Sequence, residues 1–350
     1  MNRDAVQRAV EAVESIPLLG RTRVDAMSQI EDSLSTLVPE RFPALCLRLI
    51  IRRFLAHPVT PESLEQLSTA EQWAAVEQTA PERVRIQLLW CAFVGRRFPD
   101  AVPHPLLETA IQAAKDLDRF PVEWRLAQAA IDPERATTLR RDALAVMPSP
   151  ADDSLRIMTL LDLADDLTRG SDGAAALRAI EDAVALARAH DDPNHLCQTL
   201  LRKALALLHT SRKRDAVDPL SEAFAFACEL QDDLATLIAG IPLSAIMIDG
   251  GQPHEARRIA HRILVSGARR ANWFAVMDGH ITLSTVHRME GDEVQAIEQL
   301  VRAAVRLREL IPAGALNVLK GRLAELRNEI GPAVFDAHYC TAVDRHNATS

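Results

Sequence analysis

The chain has 350 residues, of which 48 % are hydrophobic but only 4 % aromatic, and its formal net charge is −8. The composition is rich in alanine, leucine and arginine, and no segment alternates β-branched with polar residues, which favours helices throughout. The acidic balance argues against a nucleic-acid-binding protein, because such proteins normally carry a basic excess. No run of about 18 uncharged apolar residues occurs, so no membrane-spanning helix is predicted.

The cysteines predict a reducing compartment. None of the five lies two or three residues from another, as metal-binding or redox pairs commonly do. Cys46, Cys91, Cys197 and Cys228 lie in apolar helical segments and are expected to be small buried side chains. The polar start of the chain does not resemble a signal peptide, so a cytoplasmic location is predicted.

The N-terminal part, residues 1–147, is predicted to form irregular helical hairpins that cap the rest of the chain. Pro-Glu-Arg recurs at 39–41, 81–83 and 133–135. Each occurrence predicts a helix start, because proline suits the first turn and glutamate suits the positive end of the helix dipole. The helices after the first two occurrences are apolar nearly all round and are expected to be buried.

From residue 153 onward the sequence repeats every 40 residues. Small residues recur in one column, alanines in a second, mostly large apolar residues in a third, and serine or glycine in a fourth. The columns are Ala164, Ala204, Ser244 and Ser284; Ala176, Ala216, Ala256 and Ala296; Ile180, Leu220, Ala260 and Leu300; and Ser171, Ser211, Gly251 and Gly291. Each unit is therefore predicted to be two helices that cross closely at the small residues and are joined by a turn.

This order of small and large columns resembles the tetratricopeptide repeat, in the extended form of bacterial regulatory proteins, since the common unit has ~34 residues. Lys203 and Ala260 depart from the pattern. The resemblance implies an all-α fold, a right-handed α-solenoid of helical hairpins. It implies four repeats over residues 153–310 and C-terminal capping helices over residues 311–343. Residues 103–147 are predicted to be a degenerate further copy, in which Arg140 replaces the large apolar residue.

In similar repeats the first helix of each unit lines a concave face, which implies a binding surface. The residues predicted to line it are Met158, Leu161, Asp165, Gln198, Leu201, Leu205, Ile238, Ile241, Asp278, Ile281, Thr285 and Arg288. This surface is mostly aliphatic and suits an amphipathic helix or an apolar peptide segment. The lysines and asparagines by which similar repeats clamp acidic peptide tails are absent from it. The alternatives are that the chain's own helices fill the groove, or that the superhelix is too tight to leave a groove.

The sequence contains no catalytic motif, phosphate-binding loop or dinucleotide fingerprint. His280 and His287 lie seven residues apart, where other units carry apolar residues. They would be about 10 Å apart along a helix, too far to share a metal ion, so they are predicted to be packed histidines or a polar spot that contacts a ligand. No metal and no cofactor is expected.

The sequence therefore predicts a non-catalytic scaffold or adaptor that binds a protein or peptide on its concave face. A second hypothesis is a regulatory module that senses a small ligand or peptide. A third, ranked below both, is an all-α enzyme with scattered acidic residues. The sequence leaves the oligomeric state open, a homo-oligomer included.

Overall fold

The structure is a computed structural model that describes residues 8, 10–11, 22–37, 43–56, 80–97, 104–116, 119–147, 153–307, 310 and 313–349. Sixteen helices are delimited within these residues, and no strand occurs among them. The helices fall into two compact units, residues 1–206 and 207–350.

Among the described residues, unit 1 contains eight of these helices and most of a ninth. They are α1 (Thr22–Thr36), α2 (Pro43–Ala56), α3 (Ala80–Arg97), α4 (His104–Asp116), α5 (Pro121–Ile131), α6 (Ala136–Val146), α7 (Asp153–Arg169), α8 (Gly173–Ala189) and α9 (Pro193–His209). Pro-Glu-Arg at 81–83 lies in the first turn of α3, and the copy at 133–135 directly precedes α6. The copy at 39–41 lies outside the described residues.

The core of unit 1 confirms that the two helices predicted to be apolar nearly all round, α2 and α3, are buried. Leu47 of α2 and Leu89 of α3 are fully buried, and they belong to one cluster with Leu126 of α5 and Leu155 of α7. From α5 to α8 each helix packs against the next one in the chain. Sequential packing of this kind is typical of helical repeats.

Unit 2 begins near the end of α9 and contains seven further helices. They are α10 (Val217–Glu229), α11 (Asp233–Asp249), α12 (Pro253–Arg269), α13 (Trp273–Met289), α14 (Glu293–Leu307), α15 (Ala313–Ile330) and α16 (Pro332–Thr349). From α10 to α14 each helix packs against the next, and α11 also contacts α13. Both α15 and α16 pack on α14, where Leu319, Leu326 and Phe335 cover Leu300 and Ala303.

The helix bounds reproduce the 40-residue period. The first helices of the four hairpins begin at Asp153, Pro193, Asp233 and Trp273. The serine and glycine column supplies the turn within each hairpin. Ser171, Ser211, Gly251 and Gly291 all have left-handed backbone, with φ of 63°, 59°, 67° and 79°. The residue after each closes the preceding helix, as where the Asp172 N–H donates to the Leu167 carbonyl at 2.8 Å.

Most of the turns also cap the helix that follows. In these turns the side chain of an aspartate or asparagine accepts a hydrogen bond of 3.0–3.1 Å from a backbone N–H two or three residues further on. The accepting residues are Asp172, Asp192, Asp232, Asn272 and Asp292. Such a cap is worth about 1 kcal/mol. Arg212 occupies the equivalent position before α10 and cannot accept. The next helix starts late, at Val217 rather than at 213.

The small columns are buried, as predicted. No alanine among Ala176, Ala216, Ala256 and Ala296 is more than 1 % exposed, and Ala164, Ala204, Ser244 and Ser284 are at most 3 % exposed. The fold is therefore an all-α repeat of helical hairpins of the tetratricopeptide type.

Cys46, Cys91 and Cys197 are buried as expected. Cys228 is partly exposed, because it lies off the buried face of α10.

Candidate binding sites

In unit 1 the predicted concave-face residues are mostly covered. Met158, Leu161 and Leu201 are buried, with 5 %, 8 % and 8 % of their surface exposed. Met158 belongs to the main core cluster of the unit. Asp165 is half-buried, and its carboxylate accepts hydrogen bonds from the Arg202 guanidinium at 2.9 and 3.0 Å. Gln198 and Leu205 are half-buried. Little apolar surface is therefore open along these helices.

In unit 2 the same columns are more open. Ile238 is exposed, Ile241, Asp278, Ile281 and Thr285 are half-buried, and Arg288 is exposed. The Arg288 guanidinium pairs with the Glu329 carboxylate on α15. Two of the three charged residues predicted on the concave face, Asp165 and Arg288, thus pair with residues of the chain itself.

Three exposed apolar side chains on the first helices of unit 2 share this face. Leu234 is 46 %, Ile238 38 % and Phe274 55 % exposed. Leu234 and Phe274 lie 40 residues apart and therefore occupy the same column of neighbouring hairpins, one helical turn before Ile238 and Asp278. We call Leu234, Ile238 and Phe274 the apolar face. The sequence prediction included Ile238 but missed the other two, although their shared column could have identified them.

Asp278 adds a charge beside the apolar face. Burial raises the pKa of its carboxyl group. Within the part of the chain that the structure describes, no cation pairs with it. Of the three acidic and basic residues predicted here, Asp278 is the one whose charge remains unbalanced.

Pro242 lies inside α11, one turn after Ile238. Proline has no N–H, so it cannot donate the usual helical hydrogen bond to the Ile238 carbonyl. The Ile238 carbonyl, on the apolar face, therefore lacks its normal helical donor.

A separate cavity of about 210 Å³ lies in unit 2 between α12, α13 and α14. Its walls are largely apolar, with Leu264, Trp273, Val276 and Leu283 among them. Its polar lining residues are His261, His280, Gln299, Arg302 and Arg306. Gly279 allows α12 and α13 to approach closely beside it, because a Cβ atom there would lie 2.9 Å from Leu264.

His280 is the deepest polar group in this cavity. The side chain is 3 % exposed, and its Nδ1 lies 2.9 Å from Gln299 Oε1, so Nδ1–H donates to that oxygen. The Nε2 atom is then an acceptor, and it is buried without a hydrogen-bond partner. Burial, together with Arg302, Arg306 and His261, lowers the pKa of His280, so the ring is neutral at physiological pH.

Unit 1 contains a serine, a histidine and an aspartate in a row. Ser154 Oγ lies 3.2 Å from His195 Nε2, and His195 Nδ1 lies 3.4 Å from Asp192 Oδ1. The Ser154 hydroxyl donates to the Leu55 carbonyl at 2.6 Å, and His195 and Asp192 have no exposed surface. A nucleophilic serine must donate its proton to the base and be reachable by substrate. The arrangement instead ties α2, α7 and the start of α9 together.

Neither of two further site classes is found where the structure is described. No helix there is long and apolar enough to cross a membrane. Among the same residues, no three histidine, cysteine, aspartate or glutamate side chains are grouped so that they could hold a metal ion.

Comparison with known proteins supports the fold. No protein-family model matches the chain, and no curated protein sequence matches it. Among solved structures, the chain is similar to a Signal Transduction ATPase with Numerous Domains (STAND) protein with a tetratricopeptide repeat sensor, from Pyrococcus horikoshii. The two share a TM-score of 0.56 and 10 % sequence identity. The match covers 89 % of this chain and 51 % of the other, so this chain spans about half its length. At this identity the likeness concerns the fold, and it confirms the tetratricopeptide-like helical repeat.

Proposed function

We propose that this protein is a non-catalytic scaffold or adaptor that binds an apolar peptide segment carrying a basic residue. The apolar face, Leu234, Ile238 and Phe274, is the observation that carries the proposal. Ile238 stands in a column that the repeat pattern assigns to the binding surface, and Leu234 and Phe274 lie one helical turn before that column. A helical or extended segment with apolar side chains on one face would cover them.

Asp278 supports the choice of a basic partner. Its carboxylate is partly desolvated and has no cation within the described residues. A lysine or arginine of the partner would supply that cation next to the apolar face. An acidic segment would place like charges together and be rejected.

The apolar face alone would bind weakly. Complete burial of a leucine, isoleucine or phenylalanine is worth about 1.5–3 kcal/mol, so three roughly half-exposed side chains supply about 3 kcal/mol. A micromolar complex needs about 8 kcal/mol. The partner must therefore also engage Asp278 and the half-buried Ile241 and Ile281. We expect micromolar or weaker affinity, which suits a reversible adaptor.

The solved structure described above carries its tetratricopeptide repeats as a sensor. This precedent agrees with a role in recognition rather than catalysis. It supports the proposal by fold alone, because the two chains share 10 % identity.

Selection from a displayed library of random peptides, with the full chain as target, tests the proposal. We expect the selected peptides to combine apolar residues at helical or alternate spacing with a lysine or arginine. Ile238→Asp and Phe274→Asp should each weaken binding of a selected peptide about tenfold or more. Asp278→Lys should shift the selection toward acidic peptides.

Val318→Asp is the matched control, because Val318 is 48 % exposed but lies on α15. It should leave peptide binding unchanged. Leu201→Asp would be a poor test, because Leu201 is buried and an aspartate there would damage the fold. The proposal fails if the selected peptides bind the Ile238→Asp and Phe274→Asp variants as tightly as the unmodified protein.

A further inference from the structure

The cavity in unit 2 lies where the repeat pattern is broken by polar residues. His280 and Gln299 occupy the columns of Gly240 and Ile259 in the preceding hairpin. Both polar side chains are buried, with 3 % and 8 % of their surface exposed. Burying polar groups in an apolar column is unfavourable unless their hydrogen bonds are satisfied. The contact between the two satisfies one ring nitrogen and leaves Nε2 without a donor.

The cavity is large enough for a small organic molecule. Its volume is about 210 Å³, whereas an engineered apolar cavity of about 150 Å³ binds benzene. Leu264, Trp273, Val276 and Leu283 would contact the body of such a molecule. His280 is among the lining residues, is 3 % exposed, and carries the unpaired Nε2 acceptor.

The outer part of the cavity is positively charged. Arg302 and Arg306 both line it and are exposed to solvent. Arg302 also donates to Glu298 Oε1 at 2.6 Å, which holds its guanidinium in place. No carboxylate among the described residues pairs with Arg306, so its charge is available to a ligand.

We infer that this cavity binds a small organic carboxylate with a compact apolar body and a hydroxyl group at the end remote from the carboxylate. The hydroxyl donates to His280 Nε2, the body packs between Trp273 and Leu264, and the carboxylate contacts Arg306 and Arg302. Each part of the ligand thus matches one feature of the site: the hydroxyl matches the unsatisfied acceptor, the body matches the apolar walls, and the carboxylate matches the cationic rim. This goes beyond the proposed peptide binding, because the cavity uses no residue of the apolar face.

Isothermal titration calorimetry of the full chain with four probes tests the inference. The probes are 4-hydroxybenzoate, benzoate, 4-hydroxybenzyl alcohol and inorganic phosphate. 4-Hydroxybenzoate should bind about tenfold more tightly than benzoate, which lacks the hydroxyl, and than 4-hydroxybenzyl alcohol, which lacks the charge. Phosphate should not displace it, because phosphate has no apolar body.

Two variants assign the contacts. His280→Leu inserts the residue found in the same column at Leu160 and Leu200, and it should remove the preference for 4-hydroxybenzoate over benzoate. Arg306→Gln should weaken both carboxylates about tenfold. Arg322→Gln is the control, because Arg322 is an exposed arginine on α15 that pairs with Glu325. It should change neither affinity.

The inference is overturned if neither carboxylate binds saturably, or if His280→Leu and Arg306→Gln both leave binding unchanged. Displacement by phosphate would also overturn it, since the site would then recognise an anion without regard to its body. Arg306 is exposed, so its variant should fold and decide the matter even if His280→Leu does not fold.

Discussion

Arg140 and Asp166 form an ion pair in which both side chains are buried, with 2 % and 5 % of their surface exposed. Arg140 stands in the column that carries Ile180, Leu220 and Leu300 in the later repeats. Burial lowers the pKa of the Arg140 guanidinium, because desolvation outweighs the attraction of Asp166. The degenerate repeat thus replaces an apolar contact with a pair of charges.

We expect mutations of Arg140 and Asp166 to have strongly non-additive effects on the free energy of unfolding. Asp166→Val alone should lower the free energy of unfolding by about 3–5 kcal/mol, because the buried Arg140 loses its partner. Adding Arg140→Leu should bring stability back near that of the unmodified protein, since both positions then carry residues of the apolar repeat columns. Urea unfolding of the single and double variants measures this. If the loss of stability in the double variant equals the sum of the losses in the two single variants, the pair is not energetically coupled.

Substitution by alanine should have opposite effects on stability at two glycines, Gly279 and Gly321. Gly279→Ala places a Cβ atom 2.9 Å from Leu264, and overpacking of this kind costs about 1–3 kcal/mol. Gly321 lies within α15, with no atom close to where a Cβ would be placed. Gly321→Ala should therefore stabilise the protein by about 1 kcal/mol, because alanine is the better helix former. Thermal unfolding of both variants tests the close approach of α12 and α13.

His280 predicts a loss of stability in mild acid. Its pKa in the folded protein is lowered from the ordinary value of 6.5, chiefly by burial. Below that value the unfolded chain takes up a proton more readily than the folded one. The contribution is therefore fully present above pH 6.5 and is lost as the pH falls toward the lowered pKa. The free energy of unfolding, measured against pH, should fall less steeply in His280→Leu; identical slopes would contradict the prediction.

Asp278 predicts a conflict between stability and binding. Burial raises the pKa of its carboxyl group, so ionising this group is less favourable in the folded protein than in the unfolded chain. The sign is opposite to that of His280: the stability gained by protonation is present below the unfolded pKa and lost as the pH rises through the folded pKa. Asp278→Asn should therefore raise the melting temperature at pH 7 while weakening a selected basic peptide. A variant that loses both stability and binding would indicate a structural role instead.

Periodicity made most of the fold predictable. Columns such as Ala176 and Ala216 are buried because each helix of a repeat must approach its neighbours in the same way. The same columns could not rank exposure within the concave face. Met158 belongs to a core cluster that includes residues of α2 and α3, which lie outside the repeat pattern. The exposure of Leu234 and Phe274 likewise depends on what the neighbouring helices leave open.

The cavity was only partly visible in the sequence. His280 stood out as a polar residue in an apolar column, and a ligand contact was one of its predicted roles. Its partner Gln299 lies 19 residues away on another helix, and the sequence alone did not pair them. Comparing Gln299 with Ile259 in its column would have revealed the second polar substitution. The grouping of Arg302 and Arg306 with them depends on how α13 and α14 pack.

Because the turns end one helix and cap the next, each hairpin carries its own signals for starting and ending its helices. Asp232 and Asn272, for example, begin equivalent helices 40 residues apart, and each accepts backbone hydrogen bonds at the start of its own helix. A segment cut between two such turns carries complete start and stop signals. Duplication or loss of one hairpin therefore requires no new turn chemistry, so a gene encoding this protein can change the number of hairpins in steps of a whole repeat.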